Sequence, residues 1–195
     1  MSEIQVKAKA FAQKIFDDVR AMSQDVQGVT RQAFSPKETE VLQYLTAIGE
    51  SLSLEIEHDR AGNVWMTLPG KDRSLPAFVS GSHADSVPQG GNYDGLAGIA
   101  AALTVAWWMR QTNFQPQRDY RVLMMRGEES SFFGKAYMGS LGMLGKLTEK
   151  DLALKHRDGS CTLGEAMAGC GIKADDVTAG KPLVDIGRMA AFVEL

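Results

Sequence analysis

The sequence predicts an α/β layered domain with a largely parallel core, and three observations carry that expectation. LPAFVSGSH (75–83) and YRVLMM (120–125) are short, continuously apolar runs, the pattern of strands buried on both faces. Between them, LAGIAAALTVAWWM (96–109) is apolar nearly all round, as a helix buried against a sheet would be. Strand, helix and strand in that order suggest layered α/β architecture, in which ligand sites lie beyond the carboxyl ends of the strands.

The other elements follow from local pattern. Ile4, Phe11, Ile15, Val19 and Met22 recur at helical spacing, so residues 3–23 should form an amphipathic helix. A second helix begins at SPKE: Ser35 caps, Pro36 suits the first helical position, and Glu38 completes a capping box. Val41, Leu42, Leu45 and Ile48 give it a buried stripe. Leu52–Ile56 and Val64–Leu68 flank HDRAGN as a hairpin. The 145–188 stretch is polar, contains glycines and reads as weakly helical, while MAAFVEL (189–195) reads as a strand being entered. No repeat, low-complexity tract or linker divides the chain.

Composition narrows the function. The 195 residues are 44% hydrophobic and 23% charged, enough for one domain with a substantial core. A formal net charge of −3 argues against a nucleic-acid partner, whose phosphates select a basic footprint. No apolar run reaches membrane-span length, and MSEIQVKAKA lacks a signal-peptide core, so a soluble, cytoplasmic protein is expected. Cys161 and Cys170 are too few for a disulfide scaffold, form no C-x-x-C pair, and are expected to be reduced thiols.

Two polar clusters fall at strand ends. The first is GSHADSVPQGGNYDG (81–95). Two residues apart in a strand, His83 and Asp85 share a face, so the carboxylate can hold one imidazole nitrogen while the other faces a metal. Taken alone, His-x-Asp is more often a surface histidine beside an acid in a turn. Asp94 follows eleven residues later, where glycines let the chain fold back; it could bridge two cations, or simply cap the buried helix. The second cluster is the adjacent pair Glu128 and Glu129, costly ahead of Phe132-Phe133 unless a cation or shared proton offsets their repulsion. A solvated acidic turn is the plain alternative. Together, one imidazole and several carboxylates form a ligand set suited to zinc, manganese or similar ions. His58 in the hairpin and His156 in KHR are expected to be exposed rather than ligating.

With these motifs in place the chain resembles the M20 metallopeptidase family, and within it the hydantoinase/carbamoylase amidase branch. GVTR (28–31), FSPKE (34–38), DRAGN (59–63), GS (139–140) and DGSCTLGEAM (158–167) add to the likeness. The resemblance implies part of a three-layer αβα metallohydrolase catalytic domain, with a mixed, largely parallel sheet flanked by helices. It also implies two divalent ions, Zn²⁺ or Mn²⁺ first, with Co²⁺ or Ni²⁺ as alternatives. His83 would bind the first metal, Asp94 would bridge, and Glu129 would bind the second; Glu128 would be the general base and acid, with Asp85 orienting His83. A hydroxide between the metals would attack the carbonyl of an N-carbamoyl-L-amino acid or related ureido acid. The resemblance further implies a cis peptide after Asp94, and a trans bond there would count against a formed site.

Two departures accompany it. EESSFF stands where such proteins commonly have EEGSRF, which clouds the substrate. Residues 1–195 are expected to be the N-terminal part of the catalytic domain, without the lid and dimerisation domain and the C-terminal catalytic segment that hold further histidine ligands. Weak metal binding follows as an expectation, as does homodimerisation of the full-length protein. Two other readings stay open: an aminoacylase or dipeptidase of the same family, and a non-catalytic binding or interaction module. A phosphate-binding loop fits poorly, because the first cluster has neither a P-loop Lys nor G-x-G-x-x-G and its acids would repel phosphate.

Overall fold

A computed structural model describes residues 1–195. Its helices and strands run α1 (Glu3–Ser23), α2 (Pro36–Ser51), β1 (Glu55–His58), β2 (Val64–Leu68), β3 (Ala77–His83), α3 (Leu96–Gln111), β4 (Tyr120–Met125), α4 (Met138–Met143), α5 (Glu149–Leu152), α6 (Leu163–Gly169), α7 (Ala174–Thr178) and β5 (Met189–Glu194). One five-stranded sheet has the order β1-β2-β4-β3-β5. β3 lies parallel to both β4 and β5, whereas the β1–β2 hairpin joins β4 antiparallel through β2. The sheet is therefore mixed, with its parallel half where the two polar clusters emerge.

Alternation along β4 makes the layers. Tyr120, Val122 and Met124 face a core built with Ile15 and Val19 of α1, Leu45 of α2, and Ile99 and Leu103 of α3. Leu123 and Met125 face the opposite core, with Met138 of α4, Leu152 of α5, Leu163 and Met167 of α6, and Val177 of α7. Helices thus cover both faces. The near-uniform apolarity of α3 has two causes: Leu96, Ile99 and Leu103 pack into the sheet-facing core, and Trp107 stacks on Phe11 of α1 at 5.5 Å.

Several expectations need refining. The first hairpin strand starts at Glu55 rather than Leu52, whose N–H instead closes the last turn of α2. The weakly helical 145–188 stretch holds three short α-helices and a 3-10 turn at Ile186–Arg188. Two of them are fixed by reciprocal caps, Thr148 with Asp151 and Thr162 with Glu165. Ser35 does cap α2, accepting the Glu38 N–H at 3.2 Å, but the Glu38 side chain does not complete the box. Its carboxylate instead accepts from Phe34 N–H, Gly127 N–H and Arg126 Nε, at 2.8–2.9 Å. His156 is buried, not exposed: its ring stacks on Phe132, meets Phe133 edge-on, and bonds Asp158 at 2.6 Å. His58 is exposed as expected. No helix is long and apolar enough to cross a membrane.

Candidate metal centre

His83 ends β3, and Glu128 and Glu129 follow the end of β4. Since β3 and β4 are parallel and pair His83 with Met125, both clusters emerge at the same sheet edge. A glycine-rich return brings Asp94 back over β3. Ligand atoms of His83, Asp94 and Glu129 consequently lie within 4.8 Å of one another.

The imidazole is oriented from both sides. Nδ1 lies 3.1 Å from the Asp85 carbonyl oxygen and 3.3 Å from its Oδ1, while Nε2 faces Asp94 Oδ1 at 3.4 Å. With the proton on Nδ1, the Nε2 lone pair points into the cluster, the arrangement a metal-bound histidine needs. Gly95 completes this corner. At φ 66° it starts α3, and a Cβ there would stand 2.5 Å from His83 Cε1. Asp94 therefore is not the helix cap; its side chain is 71% exposed and free to face a cation. No peptide bond is cis, so Asp94–Gly95 departs from the cis expectation and, by that expectation, counts against a fully formed site in this chain; the positive φ of Gly95 makes the turn.

Asp85 does more than orient a histidine. It is fully buried, and its Oδ1 accepts the Glu128 N–H at 3.0 Å while Oδ2 accepts the Glu129 N–H at 2.9 Å. One carboxylate thereby fixes the backbone of both glutamates and the histidine ring. Glu128 is buried and held by Ser140, whose N–H and hydroxyl each donate at 2.8 Å. Ser140 sits close because Gly139 packs on the chain: a Cβ there would meet Arg126 O at 2.2 Å. Asn63 stitches the same place together, accepting the Arg126 N–H and donating to Gly139 O.

The charges fit a cation. Burial pushes Glu128 up to about 7, against the pull of the two Ser140 bonds. Burial also raises Glu129, helped by Asp94 and Asp85, while His83 opposes the rise. Burial alone would lower His83, yet its Asp85 contact and the fields of Glu129 and Asp94 lift it to about 9. An excess of negative charge is thus drawing a proton onto the ring. One imidazole and two carboxylates in that field are the donor set of a divalent ion such as Zn²⁺ or Mn²⁺. A cavity of about 740 Å³ lies elsewhere, lined by Thr39, His58, Arg60, Arg126, Cys170 and Lys173 among others.

Comparisons with known proteins show what the chain is similar to. Residues 63–149 match the family model Peptidase family M28, a label that differs from M20, and that stretch contains every candidate site residue. "Ureidoglycolate hydrolase" of Oryza sativa subsp. japonica is 34% identical over 68% of this chain and 28% of its own length. "N-carbamoyl-L-amino-acid amidohydrolase" of Paenarthrobacter aurescens is 29% identical over 96% of this chain and 46% of its own. The crystal structure of a hydantoinase/carbamoylase family amidase from Burkholderia ambifaria superposes with a TM-score of 0.76 at 25% identity. That match covers 84% of this chain and 41% of that one. The chain is similar to hydantoinase/carbamoylase amidases over most of its own length. It spans less than half the length of these amidase relatives. Sequence reasoning about the amidase site named His83, Asp85, Asp94, Glu128 and Glu129, and the fold gathers them. It gave no role to Ser140, although the GS motif containing it was visible.

Proposed function

We propose that the protein of which this chain is part is a two-metal amidohydrolase. It would cleave non-peptide C–N bonds of N-carbamoyl-L-amino acids or related ureido acids. The observation that carries the reading is the convergence of His83, Asp94 and Glu129 within 4.8 Å at the shared end of β3 and β4. The names of the relatives, an N-carbamoyl-L-amino-acid amidohydrolase and a ureidoglycolate hydrolase, support the substrate class.

His83 Nε2 and the carboxylates of Asp94 and Glu129 would hold the metals. Bound there, they would polarise the scissile carbonyl and lower the pKa of water. Glu128 supplies the proton traffic. Raised to about 7, its carboxylate can take a proton from the attacking water at neutral pH and return it to the departing nitrogen. Ser140 keeps that carboxylate in one place between the two transfers. Asp85 positions His83, Glu128 and Glu129 together.

The test is release of ammonia or amino acid from N-carbamoyl amino acids by the intact protein, with and without added Mn²⁺ or Zn²⁺. Absence of metal-dependent release would defeat the reading. The M28 match favours a second reading, in which the same centre cleaves dipeptides or N-acyl amino acids. Parallel assays on carbamoyl, N-acetyl and dipeptide substrates separate the two.

A further inference from the structure

Residues 29–38 carry two charged side chains that reach behind the site without touching its ligand cluster. Arg31 is fully buried. Its Nε donates to Ala84 O at 2.6 Å and its Nη1 to Ser23 Oγ at 3.3 Å. Its main chain pairs with Ser86: Arg31 N–H donates to Ser86 Oγ, and Ser86 N–H donates to Arg31 O, both at 2.9 Å. The residues on each side of Asp85 are thus gripped by Arg31. Its Nη2 is buried without a partner. A buried guanidinium so incompletely satisfied is costly for packing alone, since an apolar side chain of similar volume would carry no such penalty.

Glu38 does the same for the other strand exit. Fully buried, it accepts the N–H of Gly127, immediately before Glu128, at 2.8 Å, and pairs with Arg126 Nε at 2.8 Å. It also accepts the Phe34 N–H, which fixes it to its own segment. Gly127 takes φ 58°, and a Cβ there would lie 2.3 Å from the Phe34 ring, so this turn is moulded on the segment as well.

We infer that residues 29–38 are the brace of the site, with Arg31 and Glu38 as positioning residues. Arg31 fixes the β3 exit that carries His83 and Asp85, and Glu38 fixes the β4 exit that carries Glu128 and Glu129. Asp85 then ties the two exits together. The consequence for metal binding rests on the two-metal reading; the mechanical claim does not.

The experiment compares wild-type chain with Arg31→Met, Arg31→Lys and the milder Ser86→Ala, all metal-free, by amide hydrogen exchange. The brace requires the Glu128 and Glu129 amides to exchange at least tenfold faster in Arg31→Met and Ser86→Ala. The β1–β2 hairpin amides should keep wild-type protection, and Arg31→Lys should recover most of the loss through its remaining donor. Unchanged exchange at Glu128 and Glu129 in both Arg31→Met and Ser86→Ala overturns the proposal. Titration with Zn²⁺ alone, and the visible spectrum after loading with Co²⁺, then read the ligand geometry. Weaker Zn²⁺ binding and altered Co²⁺ bands are expected in those two variants, read at a temperature where circular dichroism shows each of them fully folded. A wild-type chain that takes up no metal would show that His83, Asp94 and Glu129 do not hold an ion in this chain alone, while the metal-free exchange data still decide the brace.

Discussion

Asp85 Oδ2 accepts the backbone N–H of Glu129 at 2.9 Å, tying the end of β3 to the segment after β4. Its other oxygen accepts the neighbouring Glu128 N–H. Asp85→Asn keeps one acceptor but turns an amide NH₂ toward the second N–H, setting donor against donor. Loss of a buried hydrogen bond of this kind costs about 1–3 kcal/mol. Chemical unfolding should show a lower midpoint with an unchanged slope. An unaltered midpoint would mean that the two strand exits do not depend on this carboxylate.

Glu128→Gln separates chemistry from structure. The Gln oxygen can accept the Ser140 N–H, and its NH₂ can donate to the Ser140 hydroxyl, so both contacts survive in the variant. Thermal stability should hold, and hydrolysis by the intact protein should fall about 10²–10⁴-fold, the usual worth of a general acid–base group. Retention of activity would remove Glu128 from the proton path.

Gly95→Ala should damage the His83 corner. The alanine would have to adopt φ 66° and set its Cβ 2.5 Å from the imidazole. A positive φ strains any residue that carries a Cβ, and the ring must also move. Zn²⁺ titration should report weaker binding for Gly95→Ala. Gly91→Ala, whose Cβ would meet nothing within 4 Å, should titrate like the wild type.

Glu38 makes stability depend on pH. Its carboxyl is raised from 4.5 to about 7, first by burial and then by Asp85, against the opposing charge of Arg126. Between those values the folded chain holds more of this proton than the unfolded chain does. Stability from this group is therefore complete below about pH 4.5 and declines as pH rises through about 7. Glu128 and His83 are also raised, so the wild-type curve combines several groups of the same sign. Comparison with Glu38→Gln isolates one of them. The stability gap between the two proteins should change by an amount on the order of 2–3 kcal/mol between pH 4.5 and pH 8. Parallel curves would show that Glu38 does not titrate in this range.

Where local pattern governs, the sequence was readable: the start of α2 at Pro36 and the whole of β4 lie where Ser35-Pro36 and the run YRVLMM place them. Side chains whose partners are distant in sequence were harder. Glu38 has the spacing of a capping box, yet Gly127 and Arg126, far along the chain, compete for its carboxylate and win. His156 sits among Lys155, Arg157 and Asp158, which reads as surface; only the fold reveals that Phe132 and Phe133 cover it. The reciprocal caps Thr148–Asp151 and Thr162–Glu165 were legible in principle, but helices this short have almost no hydrophobic period to draw attention to them. At the site, residue types and their strand-end positions picked out candidate ligands, which the fold brings close to one another. The bonds from Asp85 to the Glu128 and Glu129 backbone depend on strand register, which composition does not encode.

His83, Asp94 and Glu129 meet only when β3 and β4 pair, so an ion that binds all three binds the folded chain and ignores the unfolded one. Folding and ion uptake are then a single linked equilibrium. An ion at 100 times its dissociation constant deepens the native well by about 2.7 kcal/mol. The melting temperature becomes a meter for the centre, readable without any substrate.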